Sequence, residues 1–271
     1  MTDKPLDPLI EIRGATKRFR TAGGVHTAVR ELTLAVGRGE FVAVVGPTGC
    51  GKSTTLSLVS GLELATEGET YVRGQRVNGI PDGVGYMFQN DAILPWRTVL
   101  DNVAIGPRYR GASKAHARDL ARAWVAKVGL AGFEGYYPHQ LSGGMRKRVA
   151  LAQTLVNEPS ILLMDEPFSA LDVQTRALMQ DELLRLWSGT GAAVIFVTHD
   201  LEEAIALADR VVVMTCSPAT VKGSFTVPLE RPRHVEDIRL TAEFLEIYKE
   251  IWESLREEVD KTRQRGARRV A

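Results

Sequence analysis

Eight residues decide most of what this chain can fold into. Gly46-Pro47-Thr48-Gly49-Cys50-Gly51-Lys52-Ser53 fits G-x-x-x-x-G-K-[ST], and it follows Phe41–Val45, an unbroken apolar run of the kind that forms a strand buried on both faces. A helical pattern comes next, with Thr54, Leu58 and Gly61 along it. The glycines let successive backbone N–H groups turn inward, and a helix N-terminus adds partial positive charge, so the segment forms an anion cradle. Gly46 to Thr54 are therefore the expected nucleotide contacts. Lys52 would reach the β- and γ-phosphates, and Ser53 would coordinate Mg²⁺. The bland alternative is a Gly-rich turn that matches by chance. The strand–loop–helix context argues against it.

The rest of the chain alternates short β-rich runs with helical patterns, which predicts an α/β fold with a mostly parallel sheet. Residues 10–13 and 32–36 read as strands joined by a Gly- and Thr-rich connection over 21–27. Residues 161–164, 193–198 and Arg210–Met214 read as further buried strands. Between about 95 and 153 the strand signal stops, and Leu120, Trp124 and Val128 recur at helical spacing, as for a helical subdomain inserted into the core. From about Asp237, Leu240, Phe244, Ile247, Tyr248, Ile251, Leu255 and Val259 form one apolar stripe. It reads as self-docking core, with a regulatory surface as the alternative. The basic tail 261–271 is expected to be frayed and solvated.

Composition removes several classes of function. The formal net charge is +1, so no global field favours nucleic acid or an anionic membrane. Two cysteines, Cys50 and Cys216, cannot make a disulfide framework and suit a reducing cytosol. Residues 1–14 lack the layout of a signal peptide, and no run approaches the ~18 apolar residues of a membrane span. Any membrane role must then come through a partner.

The apolar run at 161–164 ends in Asp165 and Glu166. Downstream of a phosphate loop, the first acid after such a strand holds the Mg²⁺ shell. Glu166, one residue on, can face the γ-phosphate and polarise the attacking water. Alone, the pair could equally be two solvated acids opening a turn.

Leu141-Ser142-Gly143-Gly144-Met145 resembles the signature of the ABC ATPases, with Met145 where Gln is usual. Other motifs follow the order of that family. Gln89 resembles the Q-loop glutamine that senses Mg²⁺ and the lytic water, and Ser169-Ala170-Leu171-Asp172 resembles the D-loop. His199 resembles the switch histidine, and Phe19 the aromatic that stacks on adenine; alone, these two would read as a surface histidine and a core phenylalanine. No N-K-x-D motif is present, which favours ATP over GTP. The resemblance implies a P-loop NTPase (RecA-like) core with an antiparallel β subdomain and an inserted α-helical subdomain. The nucleotide-binding domain would span 1–236, and 237–271 would be the C-terminal helix and tail. It further implies a homodimer around two ATP, in which Ser142, Gly143, Gly144, Met145 and Asp172 serve the partner's nucleotide. Lys52, Gln89, Glu166 and His199 would be catalytic, with Mg²⁺ held by Ser53, Gln89 and Asp165.

A single cassette with no heptad run or basic stripe is unlike soluble ABC proteins acting on DNA or ribosomes, although a soluble ATPase uncoupled from transport is the alternative. The stretch from Asp165 to Asp172 is worded as in importer subunits. Leu94-Pro95-Trp96-Arg97 and the following residues to Val103, with Arg231-Pro232-Arg233 and the helix near Tyr248–Trp252, resemble the nitrate/sulfonate/taurine importer ATPases. Thiamine-precursor and riboflavin-type importers have similar ATPases. That likeness implies a peripheral subunit on the cytoplasmic face of the inner membrane. Its partners would be transmembrane permease subunits and, indirectly, a periplasmic or extracellular solute-binding protein, with no nucleic acid. Trp96 and Arg97 are expected at the permease interface, with core of the helical subdomain as the alternative for Trp96. His139 and Gln140 would shape the loop before the signature. Cys50, beside a helix N-terminus and Lys52, is expected to have a lowered pKa and to react readily with maleimide.

Overall fold

The computed structural model describes residues 8–22 and 24–270. The reading of residues 1–7 lies outside these, as do the side chains of Arg263, Arg265, Arg268 and Arg269 in the basic tail. In chain order the elements are β1 (Pro8–Thr21), β2 (Gly24–Gly37), β3 (Phe41–Val45), α1 (Lys52–Ser60), β4 (Glu67–Val72), β5 (Gln75–Arg76), β6 (Val84–Met87), α2 (Val99–Tyr109), α3 (Lys114–Lys127), α4 (Gly143–Leu155), β7 (Ile161–Asp165), α5 (Val173–Trp187), β8 (Ala193–Val197), α6 (Leu201–Leu207), β9 (Arg210–Met214), β10 (Val221–Thr226), α7 (Val235–Ile238) and α8 (Ala242–Val270). They form two compact units. One contains the described residues up to Asp82 and those from Gly191 onward, the other Gly83–Thr190.

In the first unit β3 lies between β8 and β9, parallel to both, and β10 runs antiparallel to β9. Every residue of β3 and β8 is buried, which explains their unbroken apolar sequences. A second, antiparallel sheet has the order β2-β1-β4-β5. Its first two strands are much longer than their apolar cores suggest. β1 and β2 are 14 residues each and pair up to Thr21↔Gly24, with Phe19 opposite His26. The expected connection over 21–27 is therefore mostly strand. Val25 and Thr27 are β-branched and carry the ladder outward even though few residues there are buried.

The C-terminal part of this unit docks through α8. Phe244, Ile247, Ile251 and Leu255 are buried, as their spacing predicts. Leu240 is not part of that stripe: it falls between α7 and α8 and is 86% exposed. Nor does the chain fray after Lys261, because α8 continues to Val270. Glu258 is buried beneath the helix, where it accepts the Cys216 N–H at 3.0 Å and meets Lys261 Nζ at 2.6 Å and Lys222 Nζ at 3.3 Å. Burial pushes its carboxyl up, but these three partners outweigh it and hold the pKa at about 2. Arg231 and Arg233 clamp the segment before α7. Arg231 pairs with Asp209 at 2.7 Å, and buried Arg233 donates to Ala208 O at 2.7 Å and Leu229 O at 2.6 Å.

In the second unit β6 and β7 pair in parallel, and α2, α3 and α4 pack together through Val99, Val103, Ala117, Ala121, Val125 and Val149. No strand occurs among the described residues between β6 and β7, so the interval read as helical is helical. The turn that opens it is built around Asn102, which is fully buried. Asn102 Oδ1 accepts the Leu94 N–H at 2.7 Å, and Nδ2 is shared among Leu94 O at 3.1 Å, Arg97 O at 3.1 Å and Thr98 O at 3.0 Å. One amide thus shapes the whole 94–98 segment and presents Trp96 outward at 71% exposure, not in the core. Among the described residues, no helix is long and apolar enough to cross a membrane.

Candidate functional site

The first unit supplies the phosphate cradle. β3 ends at Val45, and the chain turns through Gly46–Gly51 into α1. Gly49 and Gly51 have φ of 72° and 129°, and a Cβ at Gly51 would lie 2.8 Å from Ala28 O, so glycine alone fits there. Thr48 and Gly49 form the exposed lip, and Ser53 is exposed in the first turn of α1. The buried Lys52 side chain lies across its own loop and donates to Gly46 O at 2.9 Å and Pro47 O at 3.1 Å. α1 differs from α2 to α6 at its start. α2 through α6 are capped by the side chains of Thr98, Ser113, Ser142, Asp172 and Asp200, whereas α1 begins at Gly51 with no side-chain cap. A helix start without a side-chain cap is the kind of terminus at which an anion binds.

Cys50 corrects the expectation made for it. It is 2% exposed, with Sγ so near Gly46 that a Cβ there would lie 3.1 Å from it. Burial raises the thiol pKa against the pull of Lys52. The helix terminus and the lysine do favour a thiolate, but desolvation outweighs both.

The same unit holds His199 and Phe19. His199 is exposed just beyond β8, in a turn pinned on either side. Buried Thr198 donates to Glu203 Oε2 at 2.6 Å and accepts the Asp200 N–H at 3.0 Å, while Asp200 caps α6. Phe19 lies inside β1, not beyond a strand, and its half-exposed ring has Lys17 Nζ 5.0 Å from the centroid.

In the second unit Gln89 and Glu166 come together, although 77 residues separate them. Gln89 Nε2 donates to Glu166 Oε2 at 3.3 Å. Asp165 ends β7, and Glu166 opens the turn with φ of 43°, a left-handed conformation that costs a non-glycine residue energy. Strain at a carboxylate beside a partner amide is what a site requiring fixed aim would show. Nearby Tyr86 stacks on Phe88 at 4.2 Å, and burial together with Asp165 raises its pKa.

The signature and the 169–172 turn both serve as helix starts. Ser142 Oγ accepts the Met145 N–H at 3.2 Å, and Asp172 Oδ1 accepts the Thr175 N–H at 3.0 Å. The bond from Thr175 holds the Asp172 carboxyl below the usual range. Gly144 faces α5 so closely that a Cβ would lie 2.7 Å from Thr175 Cγ2. Before the signature, Gln140 Oε1 accepts the Tyr137 N–H at 2.8 Å and His139 stacks on Tyr137, so both residues shape that loop.

Two residues here had no signal in the sequence. Lys147, on α4, is 3% exposed and donates to Gln89 O at 3.0 Å. Its Nζ is also 2.8 Å from Asp91 Oδ1, and Arg146 Nε is 3.7 Å from Asp91 Oδ2. In the sequence Lys147 is one cation among several on a helix, and Asp91 is one polar residue in a loop.

Known proteins match this chain along most of its length. A family model described as ABC transporter matches residues 29–169. An uncharacterised ABC transporter ATP-binding protein of Methanocaldococcus jannaschii is 45% identical over 253 residues, 93% of either chain. A nitrate import ATP-binding protein of Synechocystis is 39% identical over 252 residues, 91% of this chain and 95% of that one. A solved dimeric structure of an ATP-binding cassette, in a post-hydrolysis state bound to ADP and Pi, has a TM-score of 0.72 and 31% identity; it covers 82% of this chain and 100% of the other. On a family match spanning more than half the sequence, and a relative nearly half identical almost end to end, this chain belongs to the ABC transporter family and is one of its ATPases.

Proposed function

We propose that the chain is the ATP-hydrolysing subunit of an importer. It dimerises around two ATP beneath separate permease subunits and drives uptake of a small nitrate-, sulfonate- or taurine-like solute. One observation carries the nucleotide part of this reading: the N-terminus of α1, without a side-chain cap, under a glycine loop, beside a buried lysine that donates to two carbonyl oxygens of that loop.

The loop and helix start from Gly46 to Thr54 hold the phosphates, with backbone N–H groups as donors wherever the residue is not proline, and Lys52 exchanges its loop carbonyls for phosphate oxygens. Phe19 stacks on adenine. Glu166 takes the proton of the attacking water, and Gln89 orients that carboxylate through its amide N–H. His199 donates to the γ-phosphate. The donors fit Mg²⁺, which favours hard oxygen ligands: a Ser53 hydroxyl, an Asp165 carboxylate and Gln89 Oε1, whose own nitrogen is engaged by Glu166. When bound, the metal neutralises charge developing on the phosphates. Ser142, Gly143, Gly144, Met145 and Asp172 complete the partner protomer's site, a reading supported by the dimeric cassette that resembles this chain. The nitrate importer relative and the exposed Trp96 support coupling to a permease at the cytoplasmic face of the inner membrane, fed by a solute-binding protein.

The test is reconstitution. Tagged protein is used to capture its permease from native membranes, and the complex is placed in vesicles with candidate solute-binding proteins. ATP-dependent uptake of labelled nitrate, taurine or an alkanesulfonate is expected. Hydrolysis that continues with no membrane partner captured and no solute moved would sink the importer reading.

A further inference from the structure

We infer that Lys147 is a positioning residue for ATP hydrolysis: its ammonium fixes the backbone at Gln89 and so holds the Gln89 amide against Glu166. The inference rests on the roles proposed above for Gln89 and Glu166.

Gln89 is two residues beyond the end of β6 and is exposed, so its strand does not hold it. Its carbonyl oxygen accepts from Lys147 Nζ at 3.0 Å, and its side-chain amide donates to Glu166 Oε2 at 3.3 Å. One residue is thus held at the backbone by a lysine and at the tip against the acid. If the backbone clamp loosens, the amide loses its aim, because a glutamine side chain is long and its own rotamers do not fix the end.

The clamp is well made for this purpose. A cation at 3% exposure is costly unless paired and hydrogen-bonded, and Lys147 is both, with Asp91 Oδ1 at 2.8 Å beside the Gln89 carbonyl. Asp91 lies in the same loop as Gln89, two residues on, so the ammonium grips one loop at two points. Arg146 reinforces the grip: Nε approaches Asp91 Oδ2 at 3.7 Å, and Nη1 donates to Leu141 O at 2.8 Å. A methyl-terminated side chain would fill the same space at less desolvation cost. The lysine is accounted for by what it holds.

The position on α4 adds a second consequence. Ser142 caps this helix, and Lys147 is five residues along it. A shift of the signature helix therefore drags the Gln89 loop with it. Closure of one protomer's signature on its partner's nucleotide is, by this connection, passed through the second turn of α4 to the loop where Gln89 meets Glu166.

Steady-state kinetics of the full chain test this. Lys147→Met is expected to lower kcat by about tenfold or more while KM for ATP stays within about twofold. Lys147→Gln, which keeps an N–H donor for the Gln89 carbonyl, should recover most of the loss. In a Gln89→Ala background Lys147→Met should cause no further fall, since the residue acts through Gln89. Should the methionine variant fail to fold, Asp91→Asn probes the same grip from the loop side, with a several-fold loss in kcat that is again absent in the Gln89→Ala background. A loss of equal size in both backgrounds would overturn the inference, as would a wild-type kcat for Lys147→Met. If Gln89→Ala alone leaves kcat intact, the catalytic reading of Gln89 fails and the anchor falls with it.

Discussion

Two lysines in this chain are buried to nearly the same degree, Lys52 at 6% exposure and Lys147 at 3%, and they are held in opposite ways. Lys52 reaches back five and six residues to carbonyl oxygens of its own loop. Those oxygens are dipoles, and among the described residues of its own unit no carboxylate pairs with the ammonium. Lys147 spans 58 residues to the Gln89 carbonyl and finds the Asp91 carboxylate beside it. Its charge is neutralised within the fold. A lysine held by dipoles can exchange them for an anion, because phosphate oxygens offer more than carbonyls do. A lysine paired with a carboxylate is committed to holding the chain in place.

The largest expected effect tests what the second arrangement aims. Glu166→Gln should lower turnover by roughly 10³-fold, within the range for losing a positioned base. It should leave ATP affinity unchanged and trap an ATP-bound dimer, measured by filter binding and light scattering. Hydrolysis near the wild-type rate would remove Glu166 from the chemistry. Lys52→Ala is next and should weaken ATP binding by ~2 kcal/mol or more, as for loss of charge-assisted hydrogen bonds. Lys147→Met should leave affinity alone. Equal losses of affinity in the two would collapse the distinction between the lysines.

A third comparison sets bracing against display on neighbouring residues. Asn102→Ala removes the acceptor of the Leu94 N–H and a donor to three carbonyls, and should destabilise the chain by ~2 kcal/mol, read as a lower denaturation midpoint. Trp96→Ala, on the segment that Asn102 shapes, should leave that midpoint unchanged and weaken permease binding by ~2 kcal/mol, as at an interface hot spot. A fall in stability at Trp96 with binding preserved would reverse the assignment. The smallest effect is at Cys50. With the thiol buried and its pKa raised, maleimide should label half-exposed Cys216 first, and activity should survive stoichiometric labelling. Faster labelling of Cys50 would mean that the loop opens.

The contrast between the lysines also separates what the sequence showed from what it did not. The loop at 46–53 was legible because all its groups are contiguous and one turn geometry dictates them. The buried strands around it were legible because burial on both faces leaves an unbroken apolar run. Asp165 and Glu166 were legible as acids at a strand end; the resemblance gave Gln89 a role, but its contact with Glu166 across 77 residues appeared only in the structure. Asn102, Asp91 and Lys147 were not legible: Asn102 and Lys147 act on backbone groups, which every residue has, and Asp91 pairs with cations 55 and 56 residues away, so no local pattern of side chains marks them. The errors have the same origin. Periodicity placed Leu240 in the stripe because it could not see the break before α8. The argument for an acidic Cys50 named two local charges and omitted burial, a property of the whole fold.

Gly144 is subject to two demands at once. The family resemblance asks it to stay bare so that a phosphate can approach, and its own chain asks it to stay bare so that Thr175 can pack 2.7 Å from where a Cβ would stand. A methyl group there would force Thr175 or the spacing of α4 and α5 to give way before any nucleotide was involved. Inactivity of Gly144→Ala would therefore report helix spacing first. At Gly143 the nearest obstacle to a Cβ is the end of a flexible side chain, Arg146 Nη2 at 3.9 Å. Gly143 is thus the position where a substitution tests the proposed role toward a neighbouring protomer's nucleotide without disturbing the packing of α4 on α5.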